Sequence, residues 1–212
     1  MPVYLKSQNI IKEWVDYNNH LNMAYYVLIF DQALEVILEK FNMGAKSAKT
    51  EKRSTMVVET NTKYINEVQE GIEIDIFLTF FDHDKKRLHL KMEMVEKKTK
   101  KISASIEWLS LYVNLETRKV TEFESEKIII MDSFIKENKN NFNNENLKLE
   151  IIEKKTKKVS ASIEWLSLYV NLETRKVTEF ENKKVAIMNN FIEQNKNNFN
   201  YEDIKFSSKL KK

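Results

Sequence analysis

The sequence predicts an α+β fold in which an antiparallel sheet wraps around a central helix. Three observations carry that prediction. Residues 23–41 are rich in Leu, Ala, Gln and Glu and stop just short of Gly44, the pattern of a helix and its terminator. Over 23–30 this helix is apolar on every side, which places it inside the protein rather than on its surface. One short strand, at 3–7, precedes it and four strands follow, so helix and strands do not alternate as they would in a parallel α/β sheet.

The remaining elements follow from periodicity. Residues 55–67 read as a strand, and 72–81 alternates cleanly through Ile72, Ile74, Ile76, Leu78 and Phe80. Leu88, Leu90, Met92 and Met94 alternate with His89, Lys91 and Glu93, a half-buried strand that ends in the lysine-rich turn 97–101. Ile102, Ala104, Ile106 and Trp108 alternate next, before both faces turn mostly apolar at 109–113, as in a strand passing from an open to a covered face. Residues 126–139 then take helical spacing through Ile128, Met131, Phe134 and Ile135. Asp31, Glu35 and Glu39 form a stripe on the central helix that is expected to face solvent.

Composition excludes more than it suggests. The 212 residues include two glycines, one proline and no cysteine. A phosphate cradle needs several residues without side chains at fixed spacing, so dinucleotide fingerprints, nucleotide-binding loops and the G-x-S-x-G elbow are out. Disulfides, thiolate nucleophiles and cysteine-ligated zinc are out as well, which fits a reducing cytoplasm. The longest uninterrupted apolar run is eight residues, 23–30, against about 20 for a membrane helix. The first eleven residues carry no apolar block of the secretory kind. A formal charge of +3, with lysines gathered in what read as solvated turns, argues against a nucleic-acid surface. No membrane and no nucleic-acid partner is expected.

An internal duplication organises the second half. At an offset of 57, residues 91–147 align with 148–204, identical at 42 of 57 positions, and 103–124 recurs unchanged as 160–181. Solenoids need three or more such units to bury their faces. Two copies this alike read instead as a tandem duplication added to a finished domain. Residues 1–147 are therefore expected to form the domain, and 148–212 a repeated strand–strand–helix unit that extends the sheet or hangs from it. The first copy is expected to fill the native place, because its connection from the preceding strand is short.

The segment leading into the central helix carries the chemistry. Asp16, Asn18, Asn19, His20 and Asn22 crowd into seven residues ahead of the apolar run. One helix cap needs one side chain, so capping and turn formation account for each of them singly better than for all together.

Asp16, His20, Asn22 and Tyr26 match the pattern Asp-x-x-Gly-His-x-Asn-x-x-x-Tyr, and the stretch 13–22 resembles the betainyl-CoA thioesterase branch of the hotdog-fold acyl-CoA thioesterases (the 4-hydroxybenzoyl-CoA thioesterase superfamily). Residues 115–119 also resemble a turn after a late strand in that superfamily. The likeness spans about residues 3–125. The family glycine is Asn19 here, and asparagine is the side chain that best tolerates the positive φ a glycine would supply.

The resemblance implies a hydrolase acting on an acyl-CoA thioester without a cofactor. Asp16 would act as general base on water or as nucleophile on the carbonyl carbon. Backbone amides at the start of the helix, the Met23 amide first, would polarise the carbonyl oxygen. Apolar surroundings would suit such a carboxylate to work near neutral pH. His20, Asn22 and Tyr26 would orient the substrate or its loop, His20 reading more readily as a structural hydrogen-bonder. The family also implies a homodimer or higher homo-oligomer with its site across the interface. A non-catalytic or degenerate binding module, and a thioesterase for acyl-carrier protein, are the alternatives.

Other residues read as structural. Asp82, His83, Asp84 and His89 offer metal-ligand chemistry but fall in and beside a charged hairpin turn, so no metal site is expected. Trp108 and Trp165 read as packing residues of equivalent strands.

Overall fold

The computed structural model describes residues 2–142, 170–171, 176–177 and 180–194. The chain divides into two compact units, Met1–Lys148 and Leu149–Lys212. In the first, strand β1 (Val3–Asn9) leads through a 3-10 turn (Lys12–Trp14) to helix α1 (Met23–Lys40) and a short helix α2 (Ala45–Glu51). Four long strands follow, β2 (Arg53–Tyr64), β3 (Glu73–His83), β4 (Arg87–Glu96) and β5 (Ile102–Asn114), then the two-residue β6 (Lys119–Val120) and helix α3 (Ser125–Asn138). The strands form one antiparallel sheet in the order β1-β3-β4-β5-β2, with β6 paired to the end of β5.

One apolar layer joins sheet and helix. Ile29, Phe30, Ala33, Leu34 and Ile37 are buried along one stripe of α1. They share a core with Ile74, Ile76 and Leu78 of β3, Leu88 to Met94 at alternate positions of β4, and Ala104, Ile106 and Trp108 of β5. Each such side chain contributes about 1.5–3 kcal/mol by leaving water. The alternating residues that mark these strands in the sequence line this face over 74–78, 88–94 and 104–108; Ile102 is exposed, and a register shift between Leu78 and Phe80 carries Phe81 rather than the expected Phe80 into the core. The result is the hotdog arrangement, an α+β fold with the sheet curled about a helix.

The helix is less enclosed than its sequence suggests. Val27, Leu28 and Val36 are exposed together with Asp31, Glu35 and Glu39, so a single chain covers only one face of α1. The acidic stripe faces solvent as expected. The apolar residues beside it do not reach the interior, because one sheet can wrap only one side of a helix.

Two elements depart from the sequence reading. Helix α2 has no apolar face, and it ends at Lys52 in the left-handed region with φ 56°. Strand β1 runs two residues past the expected Ser7, because its main chain keeps pairing with β3 to Asn9↔Glu73 although its side chains stop alternating.

A polar cluster ties α2, β5 and α3 together. Lys127 is 5% exposed, with Nζ 2.6 Å from Glu51 Oε2 and 3.1 Å from Glu124 Oε2. Glu124 also accepts the Tyr112 hydroxyl at 2.8 Å. Burial works against the Lys127 charge, yet the two carboxylates hold its ammonium above the ordinary lysine range. Its hydrogen bonds to Glu51 and Glu124, with those from Ser47 and Tyr112, hold the two carboxyl groups below theirs. Burial and the Glu124 contact push the Tyr112 hydroxyl far above the usual phenol range.

In the second unit the structure describes strands β7 (Val170–Asn171) and β8 (Lys176–Val177) and helix α4 (Asn182–Gln194). Their pairs, Val170↔Val177 and Asn171↔Lys176, are the offset-57 equivalents of Val113↔Val120 and Asn114↔Lys119. Trp165 and the asparagine-rich stretch after residue 142 lie outside the described residues. Among the described residues, every strand of the large sheet comes from 3–120, and no helix is long and apolar enough to cross a membrane.

Candidate active site

The lead-in to α1 is a tight reversal. The Asp16 amide donates to the His20 carbonyl at 2.8 Å, the Asn19 amide returns to the Asp16 carbonyl at 3.0 Å, and Val15 pairs with Leu21. Closing so short a loop needs one residue in the left-handed region. Asn19 is that residue, with φ 60°. It stands where the pattern has glycine, and asparagine adopts the conformation at modest cost.

Asp16 is half-buried and holds its own turn. Its Oδ1 accepts the Asn18 amide at 2.8 Å and the His20 amide at 3.2 Å, while Oδ2 has the Asn18 Nδ2 at 3.5 Å. The immediate surroundings expected to be apolar are polar in this chain. A short side chain just ahead of exposed amides bonds its own backbone before it meets other side chains. One carboxylate oxygen is thus fixed by two amides, and the other has only a long amide contact.

His20 faces the loop after β2. Its Nε2 lies 2.9 Å from Glu67 Oε2, and its backbone pairs with Gln69. The Leu21 amide donates to the Val68 carbonyl at 2.7 Å, so the loop 65–69 clamps the helix lead-in. Asn22 is the helix cap: its Oδ1 accepts the Ala24 amide at 3.0 Å and its carbonyl the Tyr25 amide at 2.9 Å. Those bonds occupy two of the first three amides of α1. The third, on Met23, has no acceptor among the described residues. It points its N–H where the helix dipole is most positive.

Tyr26 lies one turn further in and is buried. Its ring meets Tyr64 edge-on at 5.1 Å, and burial pushes its phenol up to about 12, offset in part by a hydrogen bond from the Val68 backbone. At neutral pH it is therefore a hydroxyl fixed in the wall beneath the loop.

The structure brings Asp16, His20, Asn22 and Met23 into one loop and helix start, with Tyr26 beneath. It adds partners the sequence did not reveal: Glu67 on His20, Tyr64 on Tyr26, and Trp14 stacked on Tyr25 with centroids 5.5 Å apart. Glu67 and Tyr64 lie some forty residues from the motif, at a separation no local pattern records.

The other ionisable residues form separate pairs. His83 Nε2 meets Asp132 at 3.0 Å, His89 Nε2 meets Glu107 at 2.8 Å, and Asp84 turns back onto Arg87. Among the described residues no three His, Asp or Glu side chains converge on a point that would hold a metal.

Comparison with known proteins places this fold. The model of the thioesterase-like superfamily matches residues 11–134, more than half of the chain. A betainyl-CoA thioesterase of Pseudomonas aeruginosa is 28% identical over 117 residues, 55% of this chain and 74% of that protein. A Staphylococcus aureus protein solved in complex with CoA superposes with a TM-score of 0.61 at 20% identity, covering 76% of this chain and 98% of its own. The DHNA-CoA thioesterase of Staphylococcus aureus gives 0.58 at 12% identity, covering 65% and 94%. At these identities the two structures speak for the fold, and the family match speaks for the chain. The chain is a hotdog-fold member of the thioesterase-like superfamily.

Proposed function

We propose that the protein hydrolyses the thioester bond of an acyl-CoA, with Asp16 and the amino end of α1 as its catalytic parts. The observation that carries this reading is the Met23 amide, left open by a cap that satisfies its two neighbours. A thioester carbonyl docked there would place its oxygen on an N–H backed by the helix dipole, where negative charge develops in the transition state. The Asp16 oxygen not held by backbone amides takes the proton of an attacking water, or itself attacks the carbonyl carbon. The thiolate of CoA leaves, and in the second route water then hydrolyses the acyl–Asp16 anhydride. His20, steadied by Glu67, and Asn22 keep the loop in shape, and the Tyr26 hydroxyl supports it from below.

The CoA part of the proposal is supported by the relative that acts on betainyl-CoA and by the solved neighbour holding CoA. We further propose a homodimer. Among the described residues strand β2 is an outer strand of the sheet, and its Val57 and Val58, with Val27 and Leu28 on α1, are exposed apolar groups. Such surface on an edge strand and a neighbouring helix calls for a partner. Residues 1–147 form the catalytic domain in this reading, and 148–212 an appendage. A cytoplasmic location fits a chain without cysteine.

The test is thiol release from a panel of CoA thioesters, betainyl, short-chain, long-chain and aromatic, run beside acyl-carrier-protein thioesters. Turnover on a CoA thioester is expected. Turnover on carrier-protein thioesters alone changes the carrier, and binding without release from any of them makes this a non-catalytic module.

A further inference from the structure

The two copies of the repeat differ in an ordered way. Residues 102–138 and 159–195 differ at nine positions: 102, 125, 126, 128, 129, 132, 133, 136 and 137. None of the nine is buried in the first copy. Phe123, Lys127, Met131 and Phe134, which α3 and its approach bury in the domain, return unchanged as Phe180, Lys184, Met188 and Phe191. So do all the residues of β5 from Ser103 onward. The local geometry returns with them. Lys184 meets Glu181 at 2.9 Å as Lys127 meets Glu124 at 3.1 Å, and β7 pairs with β8 in the register of β5 with β6. Yet Met188 is 38% exposed where Met131 is fully buried.

We infer that the two copies are interchangeable occupants of one place in the fold: residues 159–195 can replace 102–138 between β4 and β2 within the same chain. Every side chain that the place buries fully is available from either copy, including the lysine that meets Glu51; the second copy has Val185 for the partly buried Ile128 and Asn189 for the Asp132 that meets His83. What separates them most is chain connection. Five residues, 97–101, join β4 to β5, whereas 62 residues, 97–158, would join β4 to the second copy. Loop-closure entropy scales with the three-halves power of length, which favours the first copy about 40-fold. The described state is the major one, and the other is a few-per-cent minor state of the same molecule.

Charged substitutions at a fully buried position test this in the full-length chain. Ile106→Asp disables the first copy and Ile163→Asp the second, with urea unfolding and near-ultraviolet circular dichroism as readouts. I106D is expected to stay folded with its folding equilibrium lowered about 40-fold, I163D to match the parent, and the double variant to be unfolded. The pair Phe134→Asp and Phe191→Asp should repeat the pattern through the helix. The inference is overturned if I106D is as unfolded as the double variant, if the double variant still folds, or if I163D alone unfolds. A stability of I106D that rises with protein concentration more steeply than the parent's assigns the rescue to another chain, and also overturns it.

Discussion

The Asp16 carboxylate accepts the backbone N–H of His20 on Oδ1 at 3.2 Å, and this one bond ties the proposed catalytic carboxylate to the residue whose ring meets Glu67. The loop around it works only because Asn19 turns left. Asn19→Gly is expected to keep or slightly raise stability, since the conformation is already a glycine's. Asn19→Val should cost about 1–3 kcal/mol, because a β-branched side chain is strained there. Urea midpoints of the two variants check this, and equal midpoints would mean that the reversal tolerates any residue.

Lys127 offers a second check, away from the loop. Lys127→Met should cost about 1–3 kcal/mol, because it leaves Glu51, Glu124 and the Tyr112 hydroxyl facing one another without a cation. Glu51 and Glu124 titrate below their ordinary 4.5 in the folded chain, so their stabilisation is present above pH 4.5 and lost as pH falls through their lower folded values. Lys127 titrates above its ordinary 10.5, so its share holds below that pH and is lost as pH rises further. Unfolding curves at pH 7 and pH 3.5 should show K127M losing less on acidification than the parent.

Leu28→Asp and Val57→Asp address the proposed dimer. Both residues are exposed in the single chain, so neither change should lower monomer stability by more than about 0.5 kcal/mol. Each is expected to shift sedimentation toward the monomer and to lower turnover with it. An unchanged sedimentation profile would move the interface elsewhere.

Much of this fold was legible in the sequence, for an identifiable reason. The alternation of Ile74 to Leu78 and of Leu88 to Met94 survives because each strand buries one face on α1, and it fails at Phe80 because a register shift after Leu78 turns Phe81 inward instead. Helix α2 was not legible: it is held by Glu35 accepting the Ala45 amide and by Lys127 reaching Glu51, not by an apolar stripe. In the site, Asp16, Asn19 and Asn22 act locally, so their spacing reveals them. Glu67 and Tyr64 reach the same site from the end of β2, where only the folded sheet brings them close. The enclosure of α1 was overstated because a run of apolar residues does not say whether its cover comes from its own chain or from another.

Removing 148–204 tests the assignment of the appendage. The shortened chain keeps β1 to α3 and is expected to fold and to retain turnover, since all strands of the large sheet among the described residues lie within 3–120. An insoluble or inactive product would assign a structural role to the second copy.

The most direct measurement is turnover of an acyl-CoA by Asp16→Asn, followed through thiol release alongside a urea unfolding curve. Asparagine keeps an oxygen for the Asn18 and His20 amides, so the unfolding midpoint should stay where it is. Turnover should fall by about 10²–10⁴. Undiminished hydrolysis by a folded D16N protein would contradict the assignment of Asp16 to the chemistry.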